Sequence, residues 1–332
     1  MKPSPVNLET LELSTQVLIA EAHRRDVEVE ILDPDDNFIA LRRDGRTEYV
    51  KQATRTSADT YISVLLMENK EVTKKVLRAA GLRVPAGGKY RSLAAALADH
   101  PNHRDRKIVV KPNSTNFGEG VAILESGMEL SIYRAALEAA FALDASVLVE
   151  EFVDGREFRF LVMGGQTRAV LHRVPANVRG DGHTTIRDLV AAKNLHPYRG
   201  ENYRKPLEQI RLDSVELDFL SRQGLTPESV PDAGAVVFLR KNSNISTGGD
   251  SIDFTDTMPS VYRQWAEQAT AAVGAAICGL DMIIPDIAAE GPDAAYSILE
   301  LNFNPALHIH DFPAEGKNRH VERHVLDLLG FR

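Results

Sequence analysis

The 332-residue chain has a single cysteine, no long apolar run, no basic tract and no low-complexity linker. One thiol, Cys278, cannot form an internal disulfide framework, which fits a reducing cytoplasm. Its apolar neighbours Ile277 and Leu280 read it as a small core residue, not a nucleophile. No stretch approaches the roughly 20 apolar residues of a transmembrane helix. Met1-Lys2-Pro3-Ser4-Pro5 leads into a polar segment unlike a signal peptide. Lys+Arg 39 against Asp+Glu 47 gives a net charge of −8, spread along the chain, so neither nucleic acid nor membrane is an expected partner. What is left, 43% hydrophobic and 26% charged residues, describes an ordinary globular protein. At this length two or three subdomains are expected instead of one core.

Hydrophobic periodicity places the elements. Residues 11–25 read as an amphipathic helix. Val27, Val29 and Ile31 then alternate with acids as a strand, broken at Asp33-Pro34-Asp35-Asp36. Residues 38–42 and 47–50 flank a hairpin turn, and this first section shows no trustworthy chemistry. A helix running from Tyr61 or Asn69 to Ala80 is closed by Gly81, with Pro85 beyond. Ser92 can cap a helix over 93–99, residues 108–110 form a buried strand and 128–143 another helix. Strands dominate from 146 to 174, turning at Gly164-Gly165. Helices over 184–194 and 261–278 flank a less regular middle. The mixture predicts α+β packing, not a doubly wound parallel sheet.

Four segments carry candidate chemistry. In the apolar strand 296–305, Glu300 and Asn302 share a face because a strand repeats every two residues. If it pairs with 277–284 as a hairpin, Asp281 lies opposite them. Two carboxylates and an amide oxygen suit Mg²⁺ held jointly with phosphates better than zinc. Alone, the pair reads as well as buried strands with acids at a solvent edge. Lys111 ends a strand and opens Pro112-Asn113-Ser114-Thr115-Asn116-Phe117-Gly118-Glu119-Gly120, whose small residues let backbone N–H groups approach an anion. No Gly-Lys-Ser/Thr follows, so it is not a Walker A loop, and alone it reads as a flexible hairpin tip. Glu150-Glu151-Phe152-Val153 could present backbone groups to an adenine ring and Glu157 accept from ribose hydroxyls, although single acids at strand ends are often solvated. Arg240-Lys241-Asn242-Ser243-Asn244, running on to Gly248-Gly249, is rich in donors suited to an oxyanion; otherwise it is a surface turn. His308 and His310 lack companions for zinc and read as loop residues near a substrate.

Asn69-Lys70, Val110-Lys111-Pro112, the Gly118/Gly120 loop, Glu150–Val153, Glu157 and Asp281…Glu300-x-Asn302 occur in the order of the ATP-grasp superfamily, which the chain resembles. Segments 68–87, 109–123, 147–162, 172–190, 239–256, 277–286 and 298–306 are similar to the ATP-grasp module of bifunctional glutamate–cysteine ligase/glutathione synthetases. Cyanophycin synthetases share weaker patterns. The resemblance runs from about Leu11 to the C-terminus, without a glutamate–cysteine ligase half, which implies a free-standing synthetase or an excised domain. It implies an ATP-grasp fold with a pre-ATP-grasp section over 1–68, a lid subdomain over 69–155 and a large subdomain over 156–332.

It also implies roles. Lys70 and Lys111 would contact ATP phosphates, with Lys111 near the adenine as well, and the 113–120 loop would close over the β- and γ-phosphates. Glu150 and the backbone of Glu151, Phe152 and Val153 would hold adenine, and Glu157 the ribose. Asp281, Glu300 and Asn302 would bind two Mg²⁺ ions, or Mn²⁺. Arg240 would face the acyl phosphate, Asn242, Asn244, Gly248 and Gly249 would shape the acceptor pocket, and Arg173 and Arg179 would meet substrate carboxylates. The implied activity is a carboxylate–amine ligase joining γ-glutamylcysteine and glycine. A homodimer, or pairing with a separate glutamate–cysteine ligase, would be compatible. Competing readings are a ligase for another peptide or amino-acid pair, a catalytically silent ATP-binding subunit, and a phosphotransferase.

Overall fold

A computed structural model describes residues 8–114, 120–289 and 294–332. Helix α1 (Leu13–Arg24) leads into a meander of β1 (Glu28–Asp33), β2 (Phe38–Arg43) and β3 (Arg46–Lys51). Two helices follow, α2 (Tyr61–Glu68) and α3 (Lys70–Ala79), where the sequence predicts one. Asn69 breaks them: its backbone is extended (φ −95°, ψ 93°), and its side chain caps α3 by accepting from Val72 N–H.

A four-stranded antiparallel sheet comes next, built from β4 (Gly87–Tyr90), β5 (Ile108–Pro112), β6 (Ala122–Leu124) and β7 (Val147–Glu151) in the order β4-β7-β5-β6. Between its strands lie α4 (Leu93–Ala98), α5 (His100–His103) and α6 (Leu130–Phe141), and Tyr133, Leu137 and Ala140 of α6 pack on Ile108, Val110 and Val149.

The larger sheet is antiparallel throughout. It contains β8 (Arg156–Met163), β9 (Gln166–Val174), β14 (Asp250–Asp253), β15 (Ile277–Ile284) and β16 (Ser297–Asn302), ordered β14-β9-β8-β15-β16. Between β9 and β14 stands a separate cluster of β10 (Asn177–Arg179), α7 (Ile186–Asn194), short parallel β11 (Arg199–Gly200) and β12 (Leu207–Glu208), α8 (Ser214–Arg222) and β13 (Val236–Phe238). The stretch read as irregular thus contains a helix, α8, whose Glu216 accepts from the N–H of Asp213. Helix α9 (Ser260–Ala272) ends earlier than its periodicity predicts, because Gly274 turns at φ +66° and Ile277 and Cys278 already belong to β15. Short α10 (His308–Asp311) and α11 (Glu322–Leu328) complete the chain.

Every residue of β15 is buried, because layers cover both faces of the sheet. On one face Phe158, Phe160, Leu280 and Met282 pack with Tyr262 and Ala266 of α9 and Leu77 of α3. The other face is split along its length. Leu161, Met163, Ala169 and Ile277 meet Leu18, Ile39 and Val50 of the N-terminal meander and Val325 of α11. Farther along the same face the two-residue period delivers Glu157, Arg159, Arg173 and Asp281, so the sheet passes from core to polar site. Among the described residues no helix is long and apolar enough to cross a membrane.

Candidate active site

Strands β15 and β16 form the expected hairpin, with Asp281 opposite Glu300 and a bulge next to Asp281. Asn302 Nδ2 lies 3.5 Å from both Asp281 Oδ2 and Glu300 Oε1, so the three oxygen-bearing side chains converge. Asp281, however, is almost wholly buried and paired. Arg159, directly across from it on β8, donates Nη2 to Oδ2 at 2.9 Å and Nε to Oδ1, and Arg173 Nη2 donates to Oδ2 at 3.0 Å. Burial opposes its ionisation, but Arg159 and then Arg173 outweigh that and hold the carboxyl below its ordinary range. The three expected side chains are thus brought together, with Asp281 paired to arginines in this structure. Glu300 and Asn302 are the less buried oxygen-bearing side chains beside it, and Asp281 is the anchor of two arginines. Among the described residues no three His, Cys, Asp or Glu side chains converge as a metal cage. An all-oxygen pair completed by substrate phosphates fits Mg²⁺, which demands few protein ligands.

The phosphate side is built on β5, β7 and α3. Lys111 Nζ lies 2.8 Å from Glu150 Oε2, and Lys74, one turn along α3 from Lys70, pairs with Glu150 Oε1. One buried carboxylate serves two ammonium groups. Burial raises its pKa, but Lys111 and Lys74 overcome that and hold Glu150 below the usual range. Lys74 bears the cost. Burial first, then the charge of Lys111, bring it down to about 7 despite Glu150. Lys70 Nζ lies 4.0 Å from Glu300 Oε2, and burial lowers its pKa too. Three clustered lysines facing two carboxylates suit a polyphosphate. So does Asn113, itself buried, whose Oδ1 has no partner among the described residues.

Lys74 went unnoticed in the sequence, although its i, i+4 spacing from Lys70 puts both on one helix face. Glu150, expected at the adenine, is the counter-ion of Lys74 and Lys111 in this structure. The N–H groups of Glu151 and Phe152 donate to Ala86 and Lys107 carbonyls, so two of the three expected adenine donors are committed within the protein. Glu157, expected at the ribose, instead pairs with Arg173 and accepts from Ser243 Oγ at 2.5 Å. Thr115, Asn116, Phe117 and Gly118 lie outside the described residues, and Gly120 just beyond them has φ +71°.

The donor-rich loop leaves β13 and returns to β14. Gly249 sits so close to Asn244 O and Val174 O that a Cβ there would stand 2.8–2.9 Å from them, and Gly248 has φ +91°; both positions require glycine. Asn242 accepts from Thr247 Oγ1 at 3.1 Å. Arg240 pairs with buried Glu216 of α8 instead of standing free for an oxyanion. Arg173 is committed to Glu157 and Asp281, whereas Arg179 is exposed on β10 with Nη1 on Gly234 O. Arg173 thus meets the cavity with its Nη2 already paired, while Arg179 does not line it. His308 and His310 occupy a helix, not a loop. Both are buried, His308 bonds Ser14 Oγ through Nδ1 at 2.8 Å, and burial lowers the two to about 4 and about 3.

A cavity of about 810 Å³ opens between these parts. Lys70, Ser114, Arg173, Asn244, Glu300 and Asn302 line it, as does His308. Its far wall comes partly from the N-terminal section, through Glu12, Ser14, Gln52 and Arg55. Sequence reasoning assigned that section no chemistry, and no local signal would have found these residues, because chain folding alone brings them beside β16.

Comparison with known proteins agrees with the geometry. An ATP-grasp-like domain model matches residues 9–62. The crystal structure of a bifunctional glutathione synthetase from Pasteurella multocida is 45% identical over 97% of this chain and 44% of its own, with a TM-score of 0.75. The chain has an ATP-grasp fold. Glutathione biosynthesis bifunctional proteins GshAB from Clostridium perfringens and Desulfotalea psychrophila are 50% and 49% identical to it, each over 98% of this chain. The chain spans 42% of the length of either relative. The ATP-grasp fold accounts for the two antiparallel sheets.

Proposed function

We propose that this chain is an ATP-dependent carboxylate–amine ligase, and specifically that it joins γ-glutamylcysteine to glycine. The observation that carries the reading is the 4.0 Å approach of Lys70 Nζ to Glu300 Oε2, which joins the phosphate-binding lysines to the oxygen ligands at one cavity. In this reading the γ-phosphate of ATP passes to the peptide carboxylate, giving an acyl phosphate and ADP; the amine then attacks the acyl carbon and phosphate leaves. Phosphoryl transfer asks for positioning and charge neutralisation more than for a protein nucleophile. Lys70 and Lys111 supply positive charge, joined by Lys74 when it is protonated, while Glu300 and Asn302 would hold Mg²⁺, which neutralises phosphate charge when bound. Two Mg²⁺ ions, replaceable by Mn²⁺, and a cytoplasmic setting belong to the same reading. The relatives are named as bifunctional, which speaks against the separate glutamate–cysteine ligase partner expected above.

The test supplies γ-glutamylcysteine, glycine, ATP and Mg²⁺ to the purified chain and weighs the product. Glutathione with one ADP per peptide is the expected result. A stable phosphorylated peptide would mean a phosphotransferase. ADP release with some other peptide or amino-acid pair would keep the ligase chemistry and discard the glutathione assignment.

A further inference from the structure

The donor end of the cavity lacks the cations the sequence nominated for it, since Arg173 is held by Glu157 and Asp281 and Arg179 does not line the cavity. Besides Lys70, Arg159 and Arg173, two other cations line it. Arg55 lies over the Phe303 ring, 5.1 Å from its centre, and Lys205 rests its stem on Gly200. Among the described residues neither has a carboxylate within ion-pair distance, unlike Arg159 and Arg173 at the same site. Two carboxylates share this wall, Glu12 and Glu208. Glu12 accepts from Gln52 Nε2 at 3.0 Å, and Gln52 accepts in turn from Asn304 Nδ2 at 3.1 Å. Glu208 accepts from Tyr203 N–H at 2.7 Å, and Tyr203 O accepts from Leu13 N–H at 2.9 Å, which ties the two walls together.

The backbone is unusual at the same places. Gln52 and Ala53 (φ +50° and +65°) and Asn202 and Tyr203 (φ +60° and +56°) are consecutive non-glycine residues in the left-handed region, one pair on each wall. Such conformations cost free energy and persist where the surroundings enforce them, often at ligand sites. The wall is also continuous with the chemistry. Thr54 Oγ1 donates to Asn304 Oδ1 at 2.9 Å, two residues beyond Asn302.

We propose that Glu12, Arg55, Lys205 and Glu208 read the zwitterionic amino-acid head of the donor peptide, the α-carboxylate at Arg55 and Lys205 and the α-ammonium at Glu12 and Glu208. This rests on the ligase reading above and adds how the donor is chosen. A donor lying along the wall points its reacting carboxylate at Glu300 and Asn302 and its head at these four side chains. The N-terminal section is then the specificity element of the fold.

The test compares three donors with the purified chain, ATP, Mg²⁺ and glycine: γ-glutamylcysteine, 4-aminobutyryl-cysteine without the α-carboxylate, and glutaryl-cysteine without the α-amine. The wild-type chain should prefer the full donor in kcat/KM by about 10- to 100-fold over either analogue, the scale of a lost charged hydrogen bond. Arg55→Ala should erase the preference over 4-aminobutyryl-cysteine alone, Glu12→Gln the preference over glutaryl-cysteine alone, and Arg55→Lys should restore part of the first. The loss should fall on the KM for donor. Arg55 is exposed, so its melting temperature serves as the folding control. If the wild type makes glutathione but Arg55→Ala and Glu12→Gln keep both preferences, or lose all donors equally, the inference fails alone. If the wild type makes no glutathione, the glutathione assignment and the inference fall together.

Discussion

Lys74 carries the clearest electrostatic cost at the site. Burial and the neighbouring Lys111 hold its pKa near 7, against 10.5 in an unfolded chain. A lysine lowered in the fold is protonated more readily when unfolded. Between about pH 7 and 10 the unfolded state therefore binds more protons, and stability rises with pH by about 1.4 kcal/mol per unit. Lys74→Met should flatten that rise in melting temperature and weaken ATP binding; an unchanged slope would show that Lys74 stays charged in the fold. Glu300 is the complementary case. Glu300→Gln keeps shape and removes the charge that faces a cation, so turnover should fall by roughly 10²-fold or more, the scale of one lost electrostatic contact in an active site, while melting stays unchanged. Near-normal turnover at saturating Mg²⁺ would remove Glu300 from the metal site.

At the scale of elements, the join between α10 and α11 hides a second titrating device. Asp311 and Glu322 are both buried, and Val321 N–H donates to Asp311 Oδ1 at 2.9 Å, fixing the start of α11. Burial first, and Glu322 next, push Asp311 up to about 8. An acid raised in the fold keeps its proton there after the unfolded chain has lost it. The stability it contributes is complete below about pH 4 and is lost as pH climbs through about 8. Asp311→Asn retains the acceptor for Val321 without the charge. Its melting temperature should exceed the wild type's by a margin that grows from about pH 5 to about pH 8, and a constant margin would exclude the titration. The broken helix at Asn69 acts on the same scale. The break starts a new helix at Lys70, where the side chain reaches Glu300 and one turn later Lys74 reaches Glu150.

For the whole molecule, the N-terminal section is inseparable from the rest. Leu18, Ile39 and Val50 share one core with Leu161, Met163, Ala169 and Ile277 of the large sheet and with Val321 and Val325 near the C-terminus. A chain lacking residues 1–57 would expose those last six side chains. At roughly 1.5–3 kcal/mol each, their exposure matches or exceeds the roughly 5–15 kcal/mol of net stability of a domain. That truncation should give a chain that binds a hydrophobic dye and lacks a cooperative melt. A sharp transition in the truncated protein would show that the section is an appendage.

What the sequence determined by itself is the local pattern. The hairpin of β15 and β16, the pairing of Asp281 with Glu300 and the α+β character follow from two-residue alternation and turn residues, which are properties of neighbours along the chain. Lys111, Glu300 and Asn302 stand out in the sequence because residue type and spacing carry candidate chemistry. Only the tertiary structure decided which charges are already spent. Arg159, Arg173 and Arg240 look alike in sequence to Arg55, yet each is neutralised by a carboxylate from a distant strand or helix, and among the described residues Arg55 is not. Charge is screened and paired in space, and burial sets its cost. The partner of a side chain therefore depends on folding contacts that no local pattern of residues records.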